Sequence, residues 1–297
     1  MKGKIETRKR ILGIGLTVIV LALFSLFTSS CTSKNETQVT PEDEIRSLIE
    51  EDTTGWFDFY SGLNDTLQDD SIPSVIIRPE EGDTFPFIRA WGRELVSRDG
   101  IIQIEVNGDT AYATFDFDLD GILHVAGPDT TIEKAFLDQS HREARFVHDG
   151  DPRIHGGWRL DAITFVEIST SGGTMNIDSV RVVGGEIDTT FQDPTVMFER
   201  DSLLTFPPGI PVDVYLYVDD PVNTLAFLHH WGRFRHHHRS PKFSYDPESG
   251  ALKGTWITPL VPGVYHVAVD AMTWSALFVI SAPYDSEAWG TPYRVAP

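Results

Sequence analysis

The chain has 297 residues, 41% of them hydrophobic and 11% aromatic, with 24 Gly and 18 Pro. That composition excludes a disordered or low-complexity chain and suffices to bury a core, and the length predicts two domains, or one large all-β domain. Acidic residues outnumber basic ones 44 to 24, a net charge of −20, which excludes nucleic acid as a general partner because phosphate binding needs clustered Lys and Arg.

Residues 1–10 carry Lys2, Lys4, Arg8, Lys9 and Arg10 against the single acid Glu6, and residues 11–27 are uncharged and almost wholly apolar. This is the charged start and apolar run of a signal peptide, with an uncleaved membrane anchor as the alternative, since the run sits at the lower limit for crossing a ~30 Å hydrocarbon core. Cys31, the only cysteine, follows the small residues Thr28, Ser29 and Ser30. The segment resembles the lipobox of bacterial lipoproteins, although Thr28 stands where Leu, Val or Ile is commoner. The resemblance implies that residues 1–30 are removed and that Cys31 is acylated. It also implies a chain lipid-anchored in the cell envelope, at the outer membrane or cell surface, facing the periplasm or exterior. A lone thiol excludes an intrachain disulfide. Loss of residues 1–30 takes five basic residues and one acid, moving the net charge from −20 to −24, so the body is repelled by anionic membrane surfaces and anchoring falls to lipid. Residues 31–40 read as a polar tether.

A helix is predicted from Pro41: Thr40 suits the cap, Pro41 the first position, and Glu42, Asp43 and Glu44 the positive end of the dipole, with Ile45, Leu48 and Ile49 on one face. A second helix is predicted over Phe87–Val96. Strands follow: Ile102, Ile104 and Val106 alternate, Asn107-Gly108-Asp109 is a hairpin turn, and Ala111, Ala113, Phe115 and Phe117 alternate on the return. Further strands are expected at 122–125, 132–148 and 158–169. The order of leading helix, helix-to-strand transition, Val106–Ala111, Arg142–Phe146 and Gly157-Trp158-Arg159-Leu160 resembles the nuclear transport factor 2-like superfamily over residues 41–170. That resemblance implies an α+β fold in which a curved sheet forms a cone with a pocket at its mouth, and because the fold hosts hydrolases, isomerases and inert modules alike, it implies no activity.

Gly172-Gly173 marks a predicted boundary. Over 174–297 short alternating strands separated by Pro- and Gly-rich turns read as an all-β sandwich. Pro262-Gly263-Val264-Tyr265 resembles the tyrosine corner of immunoglobulin-like domains, in which the Tyr hydroxyl bonds to nearby backbone.

Candidate sites fall in two places. In the first domain Tyr112, Asp118, His124, His141, Arg142 and Trp158 are the pocket candidates, an Asp/His or Asp/Arg pair being what an acid–base enzyme needs. The competing reading is a wet sheet face, since Asp116, Asp118 and Asp120 alternate with Phe115, Phe117 and Leu119. In the second, five of the ten histidines lie between His229 and His238, with Arg233 and Arg235 among them. His229, His230, His236 and His238 are candidate zinc ligands, or with the arginines a contact surface for an acidic group. No phosphate loop, dinucleotide fingerprint or nucleophile elbow is present. The sequence therefore favours a non-catalytic binding or assembly role at the envelope, with a protein partner in the same compartment. The alternatives are a small-molecule enzyme of the cone and a metal-handling protein that uses the histidine segment.

Overall fold

The computed structural model describes residues 39–52, 56–57, 72–73, 83–231 and 243–297. The signal segment, Cys31 and most of the tether lie outside the described residues, as do Arg233, Arg235, His236 and His238. Pro41–Pro297 forms one compact unit. Among the described residues no helix is long and apolar enough to cross a membrane.

Helix α1 spans Pro41–Glu50 with its three acids in the first turn, and Ile45 and Ile49, one turn apart, are its buried face. Two short strands, β1 (Ile72–Pro73) and β2 (Phe87–Ile88), pair with each other. A meander of long strands follows, β3 (Ala90–Asn107), β4 (Thr110–Ala126) and β5 (Thr131–His148). The turn between β3 and β4 is two residues long, Asn107 pairing with Thr110, and Gly108 at φ +64° takes the position that an L side chain resists. Strands β6 (Trp158–Ile163) and β7 (Val166–Thr170) then share the far edge of β5, β6 along Ala144–His148 and β7 along Asp138–His141.

The chain continues as β8 (Ile177–Gly184), β9 (Ile187–Phe191), β10 (Phe198–Glu199), β11 (Thr205–Phe206), β12 (Pro211–Val218), β13 (Thr224–Trp231), β14 (Ser244–Asp246), β15 (Ala251–Ile257), β16 (Gly263–Thr273), α2 (Trp274–Phe278) and β17 (Ser286–Val295). Strand β17 is hydrogen-bonded to β16 on one side and to β7 on the other, so one ten-stranded sheet takes strands from before and after Gly172-Gly173. A second sheet of five strands has the order β14-β15-β12-β8-β9.

The α+β cone expected from sequence is not what forms. Among the described residues helix is confined to α1, α2 and isolated turns, and two large, mainly antiparallel sheets dominate in an all-β, sandwich-like arrangement. Phe87–Val96, expected as helix, is strand. Its Phe87, Trp91 and Leu95 fall at helical spacing by coincidence, because Ala90–Leu95 pairs with Gly121–Ala126 and a bulge between Leu95 and Ser97 resets the alternation. Long-range pairing overrides local pattern here.

Four hydrophobic clusters hold the described unit, the smallest being Leu119, Val166, Ile168, Ala268 and Ala288 within the large sheet, and the other three join separate layers. The five-stranded sheet packs Val180, Val212, Val214, Leu216 and Trp256 against Leu228, Val269, Trp289 and Tyr293 of the large sheet. Helix α1 packs Ile45 and Ile49 into Ala111, Phe115, Phe146 and Trp158 on the inner face of β4, β5 and β6. The third core joins Trp91 and Leu123 to Phe227, Met272 and α2, with the Trp91 and Phe227 rings 4.6 Å apart. Strand β3 therefore faces β13 and β16 across the interior, which means that the large sheet curls upon itself. Lys134 of β5 closes α2 by donating to the carbonyls of Ala276 at 2.7 Å and Val279 at 2.6 Å. The Tyr265 hydroxyl donates to the Val261 carbonyl at 2.8 Å, the bond expected of a tyrosine corner.

Candidate functional site

Alternation along β4 and β5 sends their side chains to two different environments. On β5 the even positions Asp138, Ser140, Arg142, Ala144 and Phe146 are buried, while Gln139, His141, Glu143 and Arg145 point outward. On β4 Ala111, Ala113, Phe115 and Leu119 are buried, and Tyr112, Asp116, Asp118 and Asp120 are exposed.

The outward face carries an open groove of about 520 Å³ crossing β3, β4, β5 and β7. Its lining includes Asp99, Asp116, Asp118 and Glu167, with His141 among them and Ile101, paired with Asp116, as its exposed apolar side chain. His141 Nδ1 lies 2.7 Å from Asp116 Oδ1, and its Nε2 lies 3.7 Å from Glu143 Oε1. Register places Glu167 directly opposite His141. Burial pushes the Glu167 carboxyl above its ordinary range, which the nearby His141 opposes and Asp193 reinforces. Gly100 is required under the groove: a Cβ there would collide with the Asp116 carbonyl and with Phe117.

Of the predicted pocket residues, the groove unites Asp118 and His141. His124 shares their face but sits away from the groove, its Nε2 3.0 Å from Glu94 and its Nδ1 3.4 Å from Glu133. Tyr112 is exposed on the same face and outside the groove lining. Arg142 and Trp158 are on the opposite side. Arg142 is buried and donates to the carbonyls of Trp56 at 2.6 Å and Thr164 at 3.3 Å, and Trp158 lies in the α1 core. The Asp/Arg pairing expected near His124 and Arg142 is therefore split between the two faces of the sheet.

His229 and His230 are likewise separated. His229 is fully buried with its Nε2 donating to Asp270 Oδ2 at 3.1 Å, whereas His230, its neighbour on β13, is half-buried on the other face. Among the described residues no group of three or more His, Cys, Asp or Glu is arranged to hold a metal ion.

Sequence reasoning missed a polar network behind the groove. Arg93 of β3 pairs with Asp270 of β16, and its Nη1 donates to the Tyr284 hydroxyl at 3.0 Å. The Tyr284 hydroxyl donates to Asp138 Oδ2 at 3.3 Å, Thr170 Oγ1 donates to Asp138 Oδ1 at 2.9 Å, and Ser286 donates to Tyr284. Burial raises the Asp138 carboxyl to about 6, against the pull of Thr170 and Arg93. At Asp270 burial also pushes upward, but the Arg93 guanidinium and the His229 hydrogen bond outweigh it and hold the carboxyl at about 2. Burial pushes the Tyr284 hydroxyl up as well. The sequence signal was present: Asp138 and Arg142 occupy the inward phase of β5, and Asp270 interrupts the apolar run Val267–Met272.

The network is sealed and structural in character. It ties β3, β5, β7, β13, β16 and β17 together, and its Asp138 and Thr170 are chain neighbours of the groove-lining Gln139 and Ser169. Comparison with known proteins finds no family model, no curated protein and no solved structure that matches this chain.

Proposed function

We propose that this is a lipid-anchored protein of the bacterial cell envelope, held through Cys31 at the outer membrane or cell surface, whose body binds a ligand or partner without catalysis. The observation that carries the reading is the join between anchor and fold. A charged start, an apolar run and a lone cysteine after small residues lead through a polar tether directly into α1 at Pro41.

Binding rather than catalysis is favoured by the interior. Beneath α1 the inner face of β4, β5 and β6 is filled: Phe57 stacks on Phe115 at 5.3 Å and on Phe146 at 6.1 Å, with Trp158 in the same core. The open groove supplies the surface instead. Its carboxylates beside Ile101 suit a ligand that joins a positive charge to an apolar group.

The test is the mass of the N-terminal peptide of chain taken from host membranes, with Cys31→Ala alongside. Acyl mass on Cys31, and loss of processing in the variant, is the expected result. A free thiol at Cys31 in the parent overturns the reading. Native mass spectrometry of the same extract identifies what arrives with the acylated chain.

A further inference from the structure

Two loops meet at one end of the sandwich. Residues 203–212 (LLTFPPGIPV) and 257–264 (ITPLVPGV) carry no charged side chain in a chain of net charge −20. Thr258 fastens them together. Its N–H donates to the Ile210 carbonyl at 2.9 Å and its hydroxyl to the Pro207 carbonyl at 2.8 Å, while Gly209 N–H donates to the Thr258 carbonyl at 3.2 Å. Pro207, Pro208, Pro211, Pro259 and Pro262 fix backbone angles through both loops. Phe206 and Trp256, buried at the loop bases, root them in the sandwich core.

On this stiff base Ile257, Leu260 and Val261 are 58%, 80% and 67% exposed. A single exposed aliphatic side chain is ordinary, but three within five residues of an uncharged, proline-braced segment are a concentration that water does not favour. Its place in the fold narrows what covers it. Leu203 and Val264, at the roots of the two loops, belong to the same core as Ile45 and Ile49 of α1. The chain enters that helix at Pro41, ten residues after Cys31, and ten residues reach at most about 35 Å.

We propose that Ile257, Leu260 and Val261 insert into the bilayer that holds the chain's own acyl group, fixing the orientation of the body on the membrane. This rests on the anchoring reading above. An acidic body is repelled by anionic headgroups, so close approach requires an uncharged contact, which these loops supply. Their proline bracing removes most of the ordering cost of inserting a loop.

The test uses the full acylated chain, reconstituted in vesicles of phosphatidylethanolamine with a minor fraction of phosphatidylglycerol. In that chain the Cys31 sulfur is consumed by the lipid, so Leu260→Cys, Val261→Cys and, as an exposed control on another turn, Glu248→Cys each present a single thiol for an environment-sensitive fluorophore. Labels at positions 260 and 261 are expected to shift to shorter wavelength, to be quenched by spin labels on the acyl chains, and to be several-fold less accessible to iodide than the label at 248. Unfolding midpoints of the variants should match the parent, because the replaced side chains pack on little.

An acylated chain whose label at 260 is as open to iodide as that at 248 overturns the insertion and leaves the anchoring intact. A label shielded from iodide and from the lipid quenchers alike means that a protein covers the loops, which also overturns it. A chain whose Cys31 takes the fluorophore itself overturns the anchoring, and the insertion falls with it.

Discussion

Removing the Asp270 carboxylate should destabilise the fold more than almost any other single change. Asp270 is fully buried, and Arg93, its partner, is 4% exposed. Asp270→Leu leaves the guanidinium in the interior with the Tyr284 hydroxyl as its remaining neutral acceptor from the network described. Breaking one side of a buried pair costs about 3–5 kcal/mol, since the surviving charge is desolvated without compensation. For a unit of this size that is on the order of 10 °C in Tm. Arg93→Met should cost a similar amount. Because the penalty in each single variant is the uncompensated partner, the double variant Arg93→Met/Asp270→Leu should recover most of the loss, giving a coupling energy of about 2 kcal/mol or more. Urea denaturation followed by circular dichroism on all four proteins reads the cycle. Single variants that each cost less than about 1 kcal/mol and simply add would refute the view that this pair ties β3 to β16.

Asp138 sets a pH dependence of opposite sign to that of Asp270. Its folded carboxyl is raised to about 6 from an ordinary 3.8, so the native state keeps a proton that the unfolded chain has released. The resulting cost is absent below about pH 4, grows as pH rises toward 6, and reaches at most about 3 kcal/mol above it. Asp138→Asn should therefore gain stability relative to the parent across that window, measured as the difference in urea midpoint at each pH. Asp270, held at about 2, contributes stability that is present above about pH 4 and is lost as pH falls toward 2. Gly100→Ala, whose new Cβ meets the Asp116 carbonyl and the Phe117 backbone as well as its ring, should cost about 1–3 kcal/mol in the same assay. His141→Ala removes a half-exposed contact with Asp116 and should move stability by less than about 1 kcal/mol. Any ligand captured with the acylated chain should nonetheless be lost from that variant, as native mass spectrometry would report.

What the sequence made legible was local. The first-turn acids of α1, the two-residue turn after Asn107, the alternation along β4 and β5, and the Tyr265 hydroxyl bond each depend on residues within one element or turn. The fold class was not legible, because it depends on which strands meet. Helical spacing in Phe87–Val96 gave way to pairing with β4, and β17 pairs with β7 across more than a hundred residues. Part of the site was readable on the same principle. Asp118 and His141 share a face because they occupy outward positions on paired strands, whereas Arg142, one residue from His141, is carried to the opposite side. Arg93 and Asp270 lie 177 positions apart, and neither residue's local pattern names the other.

Strand β17 also bears on the order of events in folding. It is buried along nearly its whole length and is flanked by β16, β7 and, in parallel, β11. The large sheet cannot close until Ser286–Val295 is available to it, and pairings of such high sequence separation form slowly. Until then β7 and β16 lack their shared neighbour, and the ten-stranded sheet stays in two separate parts.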